Sequence, residues 1–335
     1  MNHKEEGRIR TMRRRSAAIL ILLVTVFLLF LAMTAFAVAS TETPSTIAAV
    51  ASADVAWWVW PLVLFTVTFL MGILAILGRV GVGLLFVPII ACFFPFHLDF
   101  VRCAGLLVAL AGALAAVPGM LKIGMADLRL ALPAAVIASA CAIVGTMIGL
   151  ALPPDVLQTA LGATVLAIVG IMLMTKKKGH PKVIRPDALS FALRINGIYY
   201  KTFTGQEMSW QIHRTPQGLA AFILVGIMTG MFGLGSGWGN VSVFNLIMGA
   251  PLKISVATGK LLLTITDSSA AWIYINNGAL MPMIVVPSII GTILGSIAGV
   301  KIMTKTQPAA ARYIVILILL FVGMKSLLNG LSIWN

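Results

Sequence analysis

Gly230-Met231-Phe232-Gly233-Leu234-Gly235-Ser236-Gly237-Trp238-Gly239-Asn240 places five glycines in eleven residues of an otherwise apolar stretch. Each glycine disfavours a helix by about 1 kcal/mol relative to alanine, so the spacing predicts an interrupted helix. Where such a break lies in a bilayer, the freed N–H and C=O groups survive only inside protein or against water. A short helix resuming near Trp238 would begin with unpaired N–H groups and a partial positive charge, which suits an anion. Close approach of neighbouring helices is the competing reading of so many small residues. Ser236 and Asn240 within the break favour the binding reading, because they add side-chain donors to the backbone ones.

The surroundings are those of a membrane protein. Hydrophobic residues make up 60% of the 335, charged residues 10%, and the mean hydropathy is +1.03. Soluble domains run at about 45–50% apolar and about 25% charged. A net charge of +14 could suggest nucleic acid, but the cations concentrate in two blocks beside apolar segments, Lys4 to Arg15 and Lys176 to Arg214. Both fit cytoplasmic loops under the positive-inside rule rather than a nucleic-acid face. The partner these blocks imply is the lipid bilayer.

The broken stretch has a fainter counterpart 154 residues earlier. Gly72, Gly81, Gly83, Gly105, Gly124, Pro133 and Gly145 fall on Gly226, Gly235, Gly237, Gly259, Gly278, Pro287 and Gly299. Coinciding backbone breakers predict a shared backbone path, as in transporters built from internal repeats.

Apolar runs near 17–39, 57–77, 100–121, 128–150, 156–174, 217–232, 255–276, 282–303 and 309–330 predict spanning helices. Shorter runs at 83–96 and 238–249 follow the two glycine clusters. If both cross, there are eleven crossings, and the 175–216 loop with its eight Lys/Arg shares the cytoplasm with the basic N-terminus. Were they re-entrant, that loop would face outward, against the charge rule. The expected fold is therefore all-α: two inverted five-helix repeats with broken or short helices after glycine-rich segments, plus one extra N-terminal helix. The corresponding divisions are 1–54, 55–174, 175–216 and 217–335. Ala37-Val38-Ala39 resembles a signal cleavage site, yet the run from Ala17 to Val38 exceeds the usual signal core, favouring a retained helix.

In the second copy Lys260, Thr264, Asp267, Ala271 and Tyr274, spaced 4, 3, 4 and 3, form one stripe along a helix. Their first-copy equivalents Leu106, Leu110, Ala113, Val117 and Met120 are all apolar. A charge near the bilayer centre costs about 2.5–3.5 kcal/mol on insertion scales, so Lys260 and Asp267 must face protein or water. One reading is a structural ion pair, although seven residues of separation put their Cα atoms roughly 10 Å apart. The other has Lys260 attract an anion while Asp267 accepts a coupling proton or holds the lysine. Arg102 is expected to snorkel to the surface, and Lys325 either to do so or to pair within the bundle. Cys92, Cys103 and Cys141 read as inert packing, and scattered histidines give no metal site. No later helix carries a histidine to activate Ser236, and no phosphate-binding glycine loop is present, so neither an enzyme nor a cofactor is expected.

Gly233 to Asn245, followed by Met248-Gly249-Ala250-Pro251-Leu252-Lys253-Ile254-Ser255-Val256-Ala257-Thr258-Gly259, resembles the signature of the sulfite exporter TauE/SafE family. Gly81-Val82-Gly83 through Val87-Pro88 is similar to that family's first glycine segment. The resemblance covers about residues 57–174 and 217–330. It departs where Ser242 and Gly259 replace proline and serine, and where Val82 and Leu84 replace glycines. It implies an ion-gradient-driven carrier of sulfite, sulfonates or related anions. Gly81, Gly83, Ser236, Gly237, Trp238, Gly239, Asn240, Thr258 and Lys260 would then contact the anion, and Asp267 would couple its movement. A channel and a membrane scaffold are the rival readings. In a variant lacking the native cysteines, Lys177→Cys is expected to react with a membrane-impermeant thiol reagent from the cytoplasmic side only.

Overall fold

The computed structural model describes residues 58–78, 80–94, 96–122, 126–174, 196–200, 207–303 and 308–331. Among them run α1 (Val59–Gly78), α2 (Val82–Phe93), α3 (Leu98–Lys122), α4 (Leu128–Ala151), α5 (Pro154–Met174), β1 (Asn196–Tyr200) and β2 (Glu207–Gln211). There follow α6 (Thr215–Phe232), α7 (Gly237–Ser242) with a π-helical turn at Val243–Ile247, α8 (Leu252–Asn276), α9 (Pro282–Met303) and α10 (Pro308–Gly330). The expected helix at 17–39 and most of the 175–216 loop lie outside the described residues.

Local chemistry explains the boundaries. Proline opens α5, α9 and α10, where its missing N–H would have had no helical partner. Asp127 caps α4, accepting from the N–H groups of Arg129 at 2.8 Å and Leu130 at 3.3 Å. Among the described residues seven helices, α1, α3, α4, α5, α6, α9 and α10, are long and apolar enough to cross a membrane. The expected eleven crossings would add α8, the two short helices and the 17–39 segment. At 25 residues α8 has the length. The twelve residues of α2 reach only about 18 Å, less than a hydrocarbon core of about 30 Å.

The all-α expectation holds for the described helices, and the central loop adds one short pair of strands. There β1 and β2 pair antiparallel, from Asn196 opposite Gln211 to Tyr200 opposite Glu207. Ile198, Tyr199 and Tyr200 belong to the residue types that favour strands.

The helices form two compact units that cut across the two sequence copies. Among the described residues, those within 58–104, 153–172 and 280–331 group into one, and those within 105–152 and 173–279 into the other. In the first, α1 lies along α9, with Ile73 and Leu77 against Phe69, Ala298, Ile302 and Ile314. In the second, α4 lies along α6. Leu130, Ala134 and Ala138 join Phe222, Val225, Phe244 and Leu262 in its core.

The 154-residue offset reappears in this packing. A Cβ on Gly72 would meet the carbonyl of Thr292 at 2.8 Å, and one on Gly226 would meet that of Ala138 at 2.5 Å. Gly299 abuts the backbone of Ile73, and Gly145 abuts that of Ile227. In every case the partners differ by the same 154 positions. Each unit thus joins the first helix of one copy to the fourth helix of the other.

Gly226→Val is expected to lower thermal stability by about 1–3 kcal/mol through overpacking. At Gly112 nothing lies within 4 Å of an added Cβ. Gly112→Ala should therefore be neutral or stabilising by up to about 1 kcal/mol. Paired melting curves of the two variants check both expectations.

Candidate functional site

The predicted interruption is present. Helix α6 stops at Phe232, where Gly233 turns left-handed at φ 68° and returns its N–H to the carbonyl of Thr229. Gly235 is left-handed too, at φ 70°. A side chain there would strike the Ala109 Cβ at 2.9 Å and Asp267 Oδ2 at 3.1 Å. The chain resumes as α7, which the π turn extends.

Helix α8 supplies partners for groups the break sets free. The Tyr274 hydroxyl donates to the carbonyl of Gly230 at 2.8 Å. Asp267 Oδ1 accepts both the N–H and the Oγ–H of Ser236, each at 3.1 Å. Asn240 Nδ2 donates to Ser236 Oγ at 3.0 Å and to the carbonyl of Gly259 at 3.1 Å. Read down α8 from Tyr274 through Asp267 to Gly259, these contacts climb the partner segment from Gly230 through Ser236 to Asn240. The periodic stripe lies along the break.

Ser236, Asn240, Thr258 and Asp267 are all wholly buried. Within this network Asp267 Oδ2 and Asn240 Oδ1 have no hydrogen-bond partner among the described residues, and neither does Trp238 Nε1 beside it. Lys260 is half-buried and has no polar partner among the described residues. It forms no ion pair with Asp267, as their separation along the helix predicted. Thr258 has a structural task, its Oγ1 accepting the N–H of Asp127 at 3.1 Å. Gly239 packs against Val225, where a Cβ would approach to 2.7 Å. Half-buried Gly237 opens α7. Gly81 and Gly83, at the start of α2, belong to the other unit.

One expectation is refined by these contacts. The donors at the start of the resumed helix were assigned to an external anion. Here the Ser236 N–H already meets an anionic side chain, Asp267, supplied by the chain itself.

Two cations differ from, or sharpen, their sequence reading. Arg102 does not snorkel; it is 2% exposed and paired with Asp99, one helical turn earlier on α3. Asp99 also lies 3.4 Å from His97 Nδ1. The i, i+3 spacing was the signal that could have found the pair. Lys325 stays within its unit, with Nζ 4.2 Å from the centroid of the Phe93 ring. Asn245 and Asn277 satisfy nearby carbonyls at helix ends, those of Ala250 and Ile273.

The family model for sulfite exporter TauE/SafE matches residues 64–326. No match was found among the curated proteins or among the solved structures.

Tyr274→Phe keeps the ring and removes the one hydroxyl that reaches Gly230. The variant is expected to lose about 1–2 kcal/mol of stability, the effect of leaving a buried carbonyl unpaired. Thermal unfolding in detergent measures it.

Proposed function

This chain belongs to the sulfite exporter TauE/SafE family, and we propose that it is a secondary active transporter moving a small anion across the membrane by alternating access. The substrate class is sulfite, an organosulfonate or a related organic acid. The supporting observation is the interrupted helix. Ser236, Asn240 and Asp267 form a buried polar network at the break, and on α8 itself the unpaired Lys260 lies seven residues before Asp267. A lysine retained in an apolar bundle without a protein counter-charge is costly, and an anionic substrate offsets that cost.

In this reading Ser236, Gly237, Trp238, Gly239 and Asn240 present donors, Lys260 supplies charge, and Asp267 is the coupling or orienting carboxylate. Gly81 and Gly83 are the first copy's counterparts from sequence, and their neighbours Val82 and Leu84 are apolar, so the second copy carries the polar recognition. With the short segments α2 and α7 counted as crossings, each copy would cross five times, and an odd number would set the copies in opposite senses across the bilayer, the arrangement associated with alternating access. The basic 175–216 loop then faces the cytoplasm.

Flux of sulfite, isethionate and sulfoacetate into proteoliposomes tests the reading. Saturable, gradient-dependent uptake is expected, and Lys260→Ala should slow it roughly tenfold or more, the value of one charge-assisted contact. Unsaturated conductance would indicate a channel. Altered complex formation with flux unchanged in Lys260→Ala would indicate a scaffold. If the folded protein moves none of the three anions, the transporter assignment fails.

A further inference from the structure

The donors best placed for an oxyanion at the break are already taken. Asp267 Oδ1 holds the Ser236 N–H and Oγ–H together, and Asn240 Nδ2 steadies that hydroxyl from the other side. A substrate oxyanion therefore competes with a carboxylate of the protein for the same two hydrogens. While Asp267 is ionised, it also repels that substrate in a medium of low dielectric.

Resting on the anion-transport reading above, we infer that proton and anion load together: a proton adds to Asp267 at Oδ2, the neutral acid gives up Ser236, and the oxyanion takes its place, making the protein an anion–proton symporter. Oδ2 is the available oxygen, since Oδ1 has two donors and Oδ2 has none. The space beside it favours a proton over a metal cation. A single methyl added to Gly235 would come within 3.1 Å of Oδ2 and 2.9 Å of the Ala109 Cβ. Hard cations collect about six oxygens around themselves, whereas a proton needs only one.

Few charges compete for the role. Helices α6 and α7 carry no titratable side chain, and α4 carries Arg129 at its exposed start and Cys141. The part of α3 in this unit carries Lys122, and Asp127 precedes α4. On α8 the titratable residues besides Asp267 are Lys253, Lys260 and Tyr274. Among the described residues none forms an ion pair with Asp267, so no fixed countercharge ties the carboxylate to its ionised form.

The cycle balances in atoms and charge. One proton converts Asp267 to the neutral acid, one oxyanion accepts from Ser236 with Lys260 as its countercharge, and both leave on the far side. Loss of the proton from Oδ2 regenerates the carboxylate, which retakes Ser236. One proton travels with one anion and in the same direction.

Isethionate, a sulfonate whose charge does not change with pH, is the probe. Binding to the purified full-length protein is measured with proton uptake in weak buffer and repeated across pH 5 to 9. Uptake of one proton per anion bound is expected, with affinity falling about tenfold per pH unit once Asp267 is ionised in the free protein. In Asp267→Asn, binding should become independent of pH and release or take up no proton. Binding by the parent without proton uptake, or with proton release, overturns symport and leaves the transporter reading standing. No binding of isethionate by the parent overturns the symport inference, and the flux of sulfite and sulfoacetate then decides the broader reading separately. The pH slope of the parent alone decides the matter if Asp267→Asn does not fold.

Discussion

Peptide groups released by a broken helix have nowhere to go in hydrocarbon, and the second copy meets this constraint with a single neighbouring helix. Along α8, Tyr274 takes a carbonyl from the end of α6. Asp267 takes the donors of Ser236, and the carbonyl of Gly259 receives the amide of Asn240. Each unpaired backbone group in lipid costs several kcal/mol. The stripe on α8 is therefore a condition for having the break at all. The break in turn gives a water-excluded segment a set of polar side chains pointing at one another.

The first copy shows how far the same path can be followed without that help. Between α1 and α2 the Val80 N–H reaches back to the carbonyl of Ala75 at 2.9 Å. Val82, Phe86 and Ala113 stand where the second copy has Ser236, Asn240 and Asp267. What the copies keep in common is helix contact: glycine against backbone carbonyl at positions related by 154 residues. Packing was retained in both, while polar chemistry was concentrated in one.

Much of this was legible in the sequence because it depends on local physics. Glycine density located the break, and a 4-3-4-3 spacing located the stripe. Other features depend on contacts no local pattern encodes. That Asp267 pairs with Ser236, 31 positions away, follows from how α6, α7 and α8 pack. The exchange of first and fourth helices between copies is likewise tertiary. Arg102 was misread because a cation near a helix end has two outlets, the surface or a carboxylate one turn away, and Asp99 decided for the second. The pairing of β1 with β2 was not foreseen because hydropathy singles out spanning helices and is silent on short strands.

The choice of side chain at position 267 separates structural need from chemistry. Holding Ser236 requires one oxygen able to accept two hydrogen bonds, and the oxygen of an amide would do that without a charge. An uncharged amide does stand at Asn240, whose Nδ2 donates to Ser236 Oγ and to the carbonyl of Gly259. A carboxylate in the same apolar setting adds an insertion cost of about 2.5–3.5 kcal/mol, more than the roughly 1 kcal/mol a typical hydrogen bond returns. Its second oxygen is left without a partner. Scaffolding alone would favour asparagine at this position, and the proposed proton coupling is a demand that an amide could not meet.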